Sequence, residues 1–164
     1  MATPSRGKKF EAQFRKDWAS TAPDSMCYRL IDAQGGYFGI RNAGDVICYK
    51  YPNCFIIDCK SIQGSTIGFS GLSQLDEMLK YKGITGLYLG FIVWFIDHDK
   101  VIWIPSTTLE KIRNEGKKSY NIKMLDNHEY ESLEIPSKKL RTFMTSDYSK
   151  LINYYKENKD ESTN

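Results

Sequence analysis

Two carboxylates and one lysine stand in a stretch whose other residues are typical of buried strands, NAGDVICYKYPNCFIIDCKS at residues 42–61. Asp58 and Lys60 are two residues apart, so in a strand their side chains point to the same face. Burying a carboxylate or an ammonium group costs free energy unless the charge is paired or binds a metal. The stretch therefore predicts either a salt bridge at the end of a sheet or a metal site.

A turn at residues 51–53, YPN, joins the two strands of this stretch into an antiparallel hairpin. If Pro52 and Asn53 are the two corners of a type I turn, Asp45 lies opposite Lys60. If the loop begins one residue earlier, Asp45 lies opposite Asp58. Both registers place Asp45, Asp58 and Lys60 on one face, with directly opposed Cβ atoms roughly 4.5 to 5.5 Å apart.

Two carboxylates at that separation repel each other, and a divalent cation between them keeps both ionised. Oxygen ligands favour Mg²⁺ or Mn²⁺ over zinc, and the neighbouring lysine can hold a water or stabilise a developing negative charge. A salt bridge from Lys60 to Asp45 or Asp58 is the simpler alternative. We favour the metal because both strands are otherwise apolar, a second acid shares the face, and a basic, glycine-rich loop adjoins it. These groups are suited to phosphodiester hydrolysis.

Amphipathic helices are predicted at both ends of the chain. Phe10, Phe14 and Trp18 recur every four residues and predict a helix over residues 5–20. Near the other end, one face of a helix over residues 146–160 carries four apolar side chains, those of Tyr148, Leu151, Ile152 and Tyr155. We expect both helices to pack on the sheet that holds the charged hairpin.

The middle of the chain alternates between strand and helix patterns. We predict strands at residues 27–32, 87–97 and 100–105 in addition to the hairpin. A helix over residues 72–83 should turn Leu72, Leu75 and Leu79 inward, and Thr107 with Glu110 fits a capping box that opens another helix. Residues 117–141 show no clear pattern. The order of elements predicts an α/β domain with a mixed central sheet flanked by helices.

The length of 164 residues suits one domain, which we place at residues 1–158, followed by a disordered tail at 159–164. The net charge of +3 permits a nucleic-acid partner without demanding one. The chain shows no apolar run near the roughly 20 residues that span a bilayer and no signal-peptide core, so we expect a cytoplasmic protein without a membrane partner. The four cysteines lack CxxC spacing and are interpreted as reduced core thiols, and two histidines offer little for a histidine-activated nucleophile.

The order of these pieces resembles the PD-(D/E)xK nuclease superfamily, with GD at residues 44–45 and IIDCK at residues 56–60. Within it, the chain is similar to the RecU family of Holliday-junction resolvases, in the compact form found in bacteria and their phages. Five further segments agree, namely GKKFE, YRLID, SQLDEM, GFIVWFI and VIWIP. The resemblance covers residues 7–112 and implies a restriction-endonuclease-like fold, Mg²⁺ that Mn²⁺ can replace, branched DNA as substrate, and a homodimer.

The resemblance also implies roles for single residues. Asp45 and Asp58 would be metal ligands and Lys60 the catalytic lysine. Glu11 lies where related resolvases carry a helix carboxylate that reaches the metal, and otherwise it is a solvated residue of a basic helix. Gln74 corresponds to a glutamine that follows the motif in many such nucleases, and otherwise it is an exposed helix residue. The family usually has glutamate where Asp58 stands.

Basic and amide side chains around the acidic site could bind DNA phosphates. They are Arg6, Lys8, Lys9, Arg29, Arg41 and Asn42, each of which could instead be a solvated surface residue. Tyr37 and Phe38 could stack on unpaired bases or pack on the domain. The loop at residues 34–42 occupies the position of the RecU stalk and is shorter than it.

The predicted function is a Mg²⁺-dependent endonuclease that resolves Holliday junctions by paired symmetric nicks and leaves 5′-phosphate ends. Two nicks related by symmetry call for two active sites about a two-fold axis. The alternatives are a sequence-specific restriction-type or repair endonuclease on the same fold, a catalytically silent DNA-binding module, and an α/β protein with a buried salt bridge.

Overall fold

The structure is a computed structural model that describes residues 5–31 and 41–161, with only the backbone described for residues 159–161. The helices are α1 (Arg6–Thr21), α2 (Leu75–Leu79), α3 (Ser106–Asn114) and α4 (Ser149–Glu161). The strands are β1 (Met26–Arg29), β2 (Val46–Lys50), β3 (Asn53–Ile62), β4 (Thr66–Gly68), β5 (Leu87–Phe95), β6 (Lys100–Pro105), β7 (Ser119–Asn121), β8 (Leu133–Ile135), β9 (Ser137–Lys139) and β10 (Met144–Ser146). Single turns of 3₁₀ helix occur at Phe69–Gly71, Ile96–His98 and Ile122–Asp126.

A six-stranded sheet in the order β1-β2-β3-β5-β6-β8 forms the centre of the domain. The pair β3 and β5 is parallel, whereas every other neighbouring pair in this sheet is antiparallel. The chain crosses from β3 to β5 through β4 and α2, because parallel strands cannot be joined by a tight turn. The sheet is therefore mixed and flanked by helices, which confirms the predicted fold class.

One face of the sheet is covered by α1 and α4. The apolar stripes predicted for both helices are buried there, in one cluster with Phe55 and Ile57 of β3. The helix residues of this cluster include Phe10, Phe14, Trp18, Tyr148, Leu151, Ile152 and Tyr155. Burying each such side chain contributes about 1.5 to 3 kcal/mol. This layer therefore fixes both helices on the same face of β3.

The second face of the sheet carries a separate apolar cluster. Leu75 and Met78 of α2 pack there together with Leu109 and Ile112 of α3, against strands β5 and β6. The main contacts of this layer with the central sheet are those of α2 with β5 and of α3 with β5 and β6. Tyr28 and Tyr49, on β1 and β2, stay exposed, so the acidic hairpin lies at the less covered end of the sheet.

A buried carboxylate fastens α1 to the small β9–β10 hairpin. Asp17 is 5% exposed and accepts hydrogen bonds from the Thr145 hydroxyl (2.8 Å), from the Ser146 backbone N–H (2.9 Å) and from the Gln13 amide (2.8 Å). The Asp17 carboxylate accepts all three hydrogen bonds, so these polar contacts as well as apolar packing hold α1 in position.

Two helix starts differ from the prediction. Leu72 is buried, as expected, but it has a non-helical backbone (φ −115°, ψ 57°) at the end of a 3₁₀ turn, so α2 begins only at Leu75. The capping box at Thr107 and Glu110 is wrong. Helix α3 begins at Ser106, directly after Pro105 and without a side-chain cap, and Glu110 instead bonds the Lys82 ammonium at 2.7 Å.

The C-terminal part of the chain forms short strands and helix α4. Residues 117–141, which had no clear pattern, form β7, β8 and β9 with a 3₁₀ turn between the first two. Helix α4 ends at Glu161 and so continues three residues into the segment predicted as a tail. Within the described residues, no helix has both the length and the apolar character needed to cross a membrane.

Candidate active site

The β2–β3 hairpin has the second of the two registers considered above. Tyr49 lies opposite Cys54 and Lys50 opposite Asn53, which leaves Tyr51 and Pro52 as the loop. The predicted type I turn with Pro52 at its first corner is therefore wrong. Pro52 is the second corner and follows a cis peptide bond, which is the arrangement of a type VI turn. The paired register ends at Val46 and Ile57, one residue short of Asp45 and Asp58.

Regular pairing between β2 and β3 ends at Asp45. Its carbonyl oxygen accepts a hydrogen bond from the Leu30 N–H (2.7 Å), while its own N–H donates to the Ile57 carbonyl (2.9 Å). The Asp45 carboxylate then accepts from the Cys59 N–H at 2.8 Å. The side chain thus supplies the acceptor that another residue of β2 would have provided, and this bond holds the carboxylate against β3.

Gly44 permits this close approach of the two strands. A Cβ atom at residue 44 would lie 2.8 Å from the Ile57 carbonyl oxygen and 2.9 Å from its carbon. Both are backbone atoms that cannot rotate away. The glycine before Asp45 is therefore part of the geometry that positions the carboxylate.

Asp58 is a buried carboxylate whose one cationic partner in the described part of the chain is Lys60. Its side chain is 1% exposed, and the Lys60 ammonium lies 3.0 Å from Oδ2 as an ion pair. Burial and, to a smaller extent, the nearby Asp45 carboxylate raise the pKa of Asp58 to about 7, although Lys60 acts in the opposite direction. The ion pair exists, but it does not offset the cost of burying the carboxylate.

The candidate third ligand, Glu11, is engaged elsewhere. It projects from α1, which covers the opposite face of β3, and it forms an ion pair with the Arg29 guanidinium at 3.0 Å. Among residues 5–31 and 41–161, no group of three or more His, Cys, Asp or Glu side chains is arranged to hold a metal. Gln74 directly precedes α2, and its amide oxygen accepts from the Ser73 hydroxyl at 3.2 Å. Their catalytic roles stay predictions.

The Asp45 and Asp58 carboxylates nevertheless suit a magnesium ion. Mg²⁺ is usually bound through one or two carboxylates, with water and substrate phosphates as its other ligands. Oδ1 of Asp58 has no partner among the described residues and Oδ2 contacts only the Lys60 ammonium, and a cation would remove the electrostatic penalty of a carboxylate beside Asp45. The donor set thus fits a hard divalent cation, and Lys60 stands next to it.

The predicted phosphate-binding residues lie in three places. Arg6, Lys8 and Lys9 are exposed on the first turns of α1, Arg29 pairs with Glu11, and Arg41 is exposed. Asn42 donates its side-chain amide to the Ile31 carbonyl at 2.9 Å and so closes the base of the loop between β1 and β2. Tyr37, Phe38 and the rest of residues 34–40 lie outside the described residues.

An exposed apolar surface that was not predicted lies on the same face of the sheet as the carboxylates. Met26, Tyr28 and Tyr49 are 46%, 60% and 42% exposed, and Met26 lies directly opposite Tyr49. Cys27 and Cys48 point into the α1 layer, so strand alternation turns these three side chains to the other face. The alternation of these three residues with the cysteines is the sequence pattern that could have predicted this surface, because it is typical of a strand pair that is covered on one face only.

One cavity of the described region lies away from this chemistry. It measures about 470 Å³, and its lining includes Lys82, Tyr88, Glu131 and Tyr155 but none of Asp45, Asp58 and Lys60. A DNA backbone is bound along an open, charged surface and needs no deep cavity. We therefore place the candidate site at the carboxylates.

The sequence matches no protein-family model and no curated protein. Solved structures with a similar fold include that of Hjc, a Holliday junction resolvase from the archaeal hyperthermophile Archaeoglobus fulgidus, with a TM-score of 0.54 and 13% identity over 70% of this chain and 88% of Hjc. Another is D212, a nuclease from a fusselovirus, with a TM-score of 0.42 and 12% identity over 90% of this chain and 87% of D212. At such identities the similarity concerns architecture alone. The chain has the restriction-endonuclease-like fold, a mixed central sheet flanked by helices.

Proposed function

We propose that the protein is a Mg²⁺-dependent DNA endonuclease that cuts branched DNA, and that its preferred substrate is the four-way junction. The observation that carries the proposal is Asp58, a carboxylate that is 1% exposed, lies near the Asp45 carboxylate and has the Lys60 ammonium as its one cationic partner among the described residues. A purely structural ion pair would be better satisfied. The fold shared with Hjc, a Holliday junction resolvase, supports the choice of a junction as substrate.

Each of the three side chains has a distinct role in this proposal. Asp45 and Asp58 would hold the magnesium ion, and the hydrogen bond from the Cys59 N–H keeps the Asp45 carboxylate in place. When bound, the ion supplies an activated water and neutralises charge on the scissile phosphate. Lys60, half-buried, donates a hydrogen bond to that water or to a phosphate oxygen. Hydrolysis in this arrangement leaves a 5′-phosphate end.

The proposed DNA path runs over the less covered end of the sheet. Arg41 lies at the loop base and the exposed lysines lie at the start of α1, and such cations can neutralise DNA phosphates. Tyr28 and Tyr49 add exposed aromatic rings on the same face of the sheet as the carboxylates, and such rings bind unpaired bases by stacking. Unpaired or distorted bases occur at branch points, so this surface favours branched over linear DNA.

We further propose that two copies act together. A four-way junction has two equivalent strands to cut, and a two-fold symmetric dimer presents one active site to each. A homodimer would therefore make the paired nicks that release two linear duplexes.

The decisive experiment compares three substrates: a mobile four-way junction, a linear duplex and a single strand, each with Mg²⁺ or with EDTA. We expect paired symmetric nicks near the crossover, only with Mg²⁺. Asp58→Asn and Lys60→Ala should each lower cleavage at least 100-fold while binding of the junction persists. Asp24→Asn and Lys156→Ala are matched controls, since both residues are exposed and lie apart from the carboxylates.

Other outcomes would refute parts of the proposal. Cutting of linear duplex at a fixed sequence would replace the junction by a restriction-type substrate. Binding without any cleavage would reduce the protein to a DNA-binding module. If Asp58→Asn cleaves as well as the unmodified protein does, the assignment of the active site is wrong.

A further inference from the structure

Two cysteine side chains meet beneath α1, at the β1–β2 pair. Cys27 and Cys48 are directly opposed in this antiparallel pair, and their Sγ atoms are 3.4 Å apart. Both residues belong to the layer between the sheet and α1. None of the residues in the proposed DNA path contributes to this contact.

The strand pairing makes this position favourable for a disulfide. Directly opposed residues of an antiparallel pair have Cα atoms roughly 4.5 to 5.5 Å apart, and Cys27 and Cys48 are such residues. Disulfides span Cα separations of roughly 4.4 to 6.8 Å. Side-chain rotation alone can therefore bring the two sulfurs to bonding distance.

The two thiols have different surroundings. Cys48 is fully buried, whereas Cys27 is partly exposed at the edge strand, so a small solute can reach Cys27 first. The Cys48 thiol donates to the Cys27 sulfur, and this bond together with the Arg15 guanidinium lowers the pKa of Cys27. Among the described residues, the Arg15 Nε has no hydrogen-bond acceptor although it is buried. A cation with a free donor thus stands beside the more accessible sulfur.

We propose that Cys27 and Cys48 form a peroxide-sensitive pair that closes to an intrachain disulfide, with Cys27 as the attacking thiol and Cys48 as the resolving thiol. The inference rests on strand geometry and does not depend on the proposed nuclease activity. It assigns a chemical role to two residues that the sequence predicted to be reduced core thiols.

The reaction balances in two steps with a hydroperoxide as the oxidant. The Cys27 thiolate attacks one peroxide oxygen, so an S–O bond forms, the O–O bond breaks, and the leaving oxygen takes up a proton as water or an alcohol. Sulfur is oxidised by two electrons to a sulfenic acid and the peroxide is reduced. The Cys48 sulfur then attacks the Cys27 sulfur, the S–S bond forms, the S–O bond breaks, and the departing hydroxide combines with the Cys48 proton as water.

The disulfide would close a chain segment that contains Arg41, Asn42 and Asp45. Cross-linking the ends of a segment of about 20 residues restricts the unfolded chain and stabilises the folded one. We therefore expect the oxidised protein to melt about 5 to 10 °C higher than the reduced protein. Dithiothreitol should reverse the change.

The test is a brief treatment of the whole reduced protein with a small molar excess of hydrogen peroxide, followed by denaturation and alkylation. Intact mass should show two alkylated thiols in place of four, and non-reducing peptide mapping should join Cys27 to Cys48. Cys48→Ser should instead accumulate a sulfenic acid at Cys27 that dimedone traps. Cys54→Ser is the matched control and should close the disulfide normally, because the strand partner of Cys54 is Tyr49.

Three results would overturn the inference. All four thiols could remain alkylatable after peroxide treatment of the folded protein. The mapped disulfide could involve Cys54 or Cys59, or join two chains. Finally, Cys48→Ser could give no dimedone adduct at Cys27, which would show that Cys27 is not the attacking thiol.

Discussion

The buried, charged side chain of Asp58 lowers the stability of the folded state. A carboxylate that is 1% exposed, has Lys60 as its one cationic partner in the described part of the chain and lies near a second carboxylate loses most of its hydration without full compensation. The raised pKa of about 7 expresses the same cost. The residue that matters most for the proposed chemistry is therefore also a defect in the fold.

Asp58→Asn should stabilise the metal-free protein at neutral and alkaline pH. The pKa of Asp58 is raised from 3.8 to about 7 on folding, so its protonated form is favoured in the native state. Its contribution to stability is full below pH 3.8 and is lost as the pH rises through 7. In EDTA at pH 8, urea unfolding should show the variant more stable by up to about 4 kcal/mol. The difference should shrink steadily towards pH 4, and a pH-independent difference would contradict this account.

Added Mg²⁺ should narrow that difference. A cation held by Asp45 and Asp58 would bind the folded protein and not the unfolded chain, so it would raise Tm by mass action. We expect MgCl₂ at roughly 100 times its Kd to stabilise the unmodified protein by about 2 to 3 kcal/mol. Asp58→Asn should show no comparable shift, and Asp24→Asn should behave as the unmodified protein. Equal shifts in all three proteins would indicate a general salt effect.

At the scale of elements, the end of β2 positions the site. Asp45 is the first residue beyond the regular β2–β3 pairing, and Gly44 allows the chain to pass against Ile57. The carboxylate is thus placed by backbone hydrogen bonds on both sides, to Leu30 and to Cys59. Small backbone shifts here should affect catalysis more than stability.

Gly44→Ala tests this dependence. The new Cβ would stand 2.8 Å from the Ile57 carbonyl oxygen, so the strand must move and carry Asp45 with it. We expect cleavage to fall at least 10-fold with a loss of about 1 to 3 kcal/mol of stability. Gly71→Ala is the matched control, since a Cβ atom there meets nothing within 4 Å. Unchanged cleavage by Gly44→Ala would show that Asp45 need not sit as described.

Asp17→Ala should loosen α1. The substitution leaves the Ser146 N–H and the Thr145 hydroxyl without their acceptor in a buried place, which costs about 2 to 4 kcal/mol. Urea unfolding measures this loss, and hydrogen exchange should show faster exchange in β10. Asp24→Ala, at an exposed carboxylate, should change stability by less than about 0.5 kcal/mol. A small effect at Asp17 would mean that apolar contacts alone fix α1.

At the scale of the whole molecule, paired cutting requires two sites. We expect light scattering to give a mass near twice the 18.9 kDa of one chain. Mixed dimers of the unmodified chain and Asp58→Asn should nick a four-way junction on one strand only. A monomer that still makes paired nicks would rule out the symmetric mechanism.

How far the sequence predicts this molecule depends on whether the signal is local. The sequence predicts the apolar stripe from Phe10 to Trp18 and the shared face of Asp58 and Lys60, because helix and strand periods are local properties. It does not distinguish the two hairpin registers, since both even-length loops keep the acids on one face. The Cys27–Cys48 contact and the Glu11–Arg29 ion pair join residues at least 18 positions apart, and no local pattern indicates such pairs.

The buried carboxylate of Asp58 also bears on how the sequence can change. Selection for folding alone would replace it with asparagine or an apolar residue, because either change makes the domain more stable. A lineage that no longer used the site would therefore drift quickly away from aspartate at this position. An intact Asp58 in a stable descendant would be a sign that the activity is still being selected.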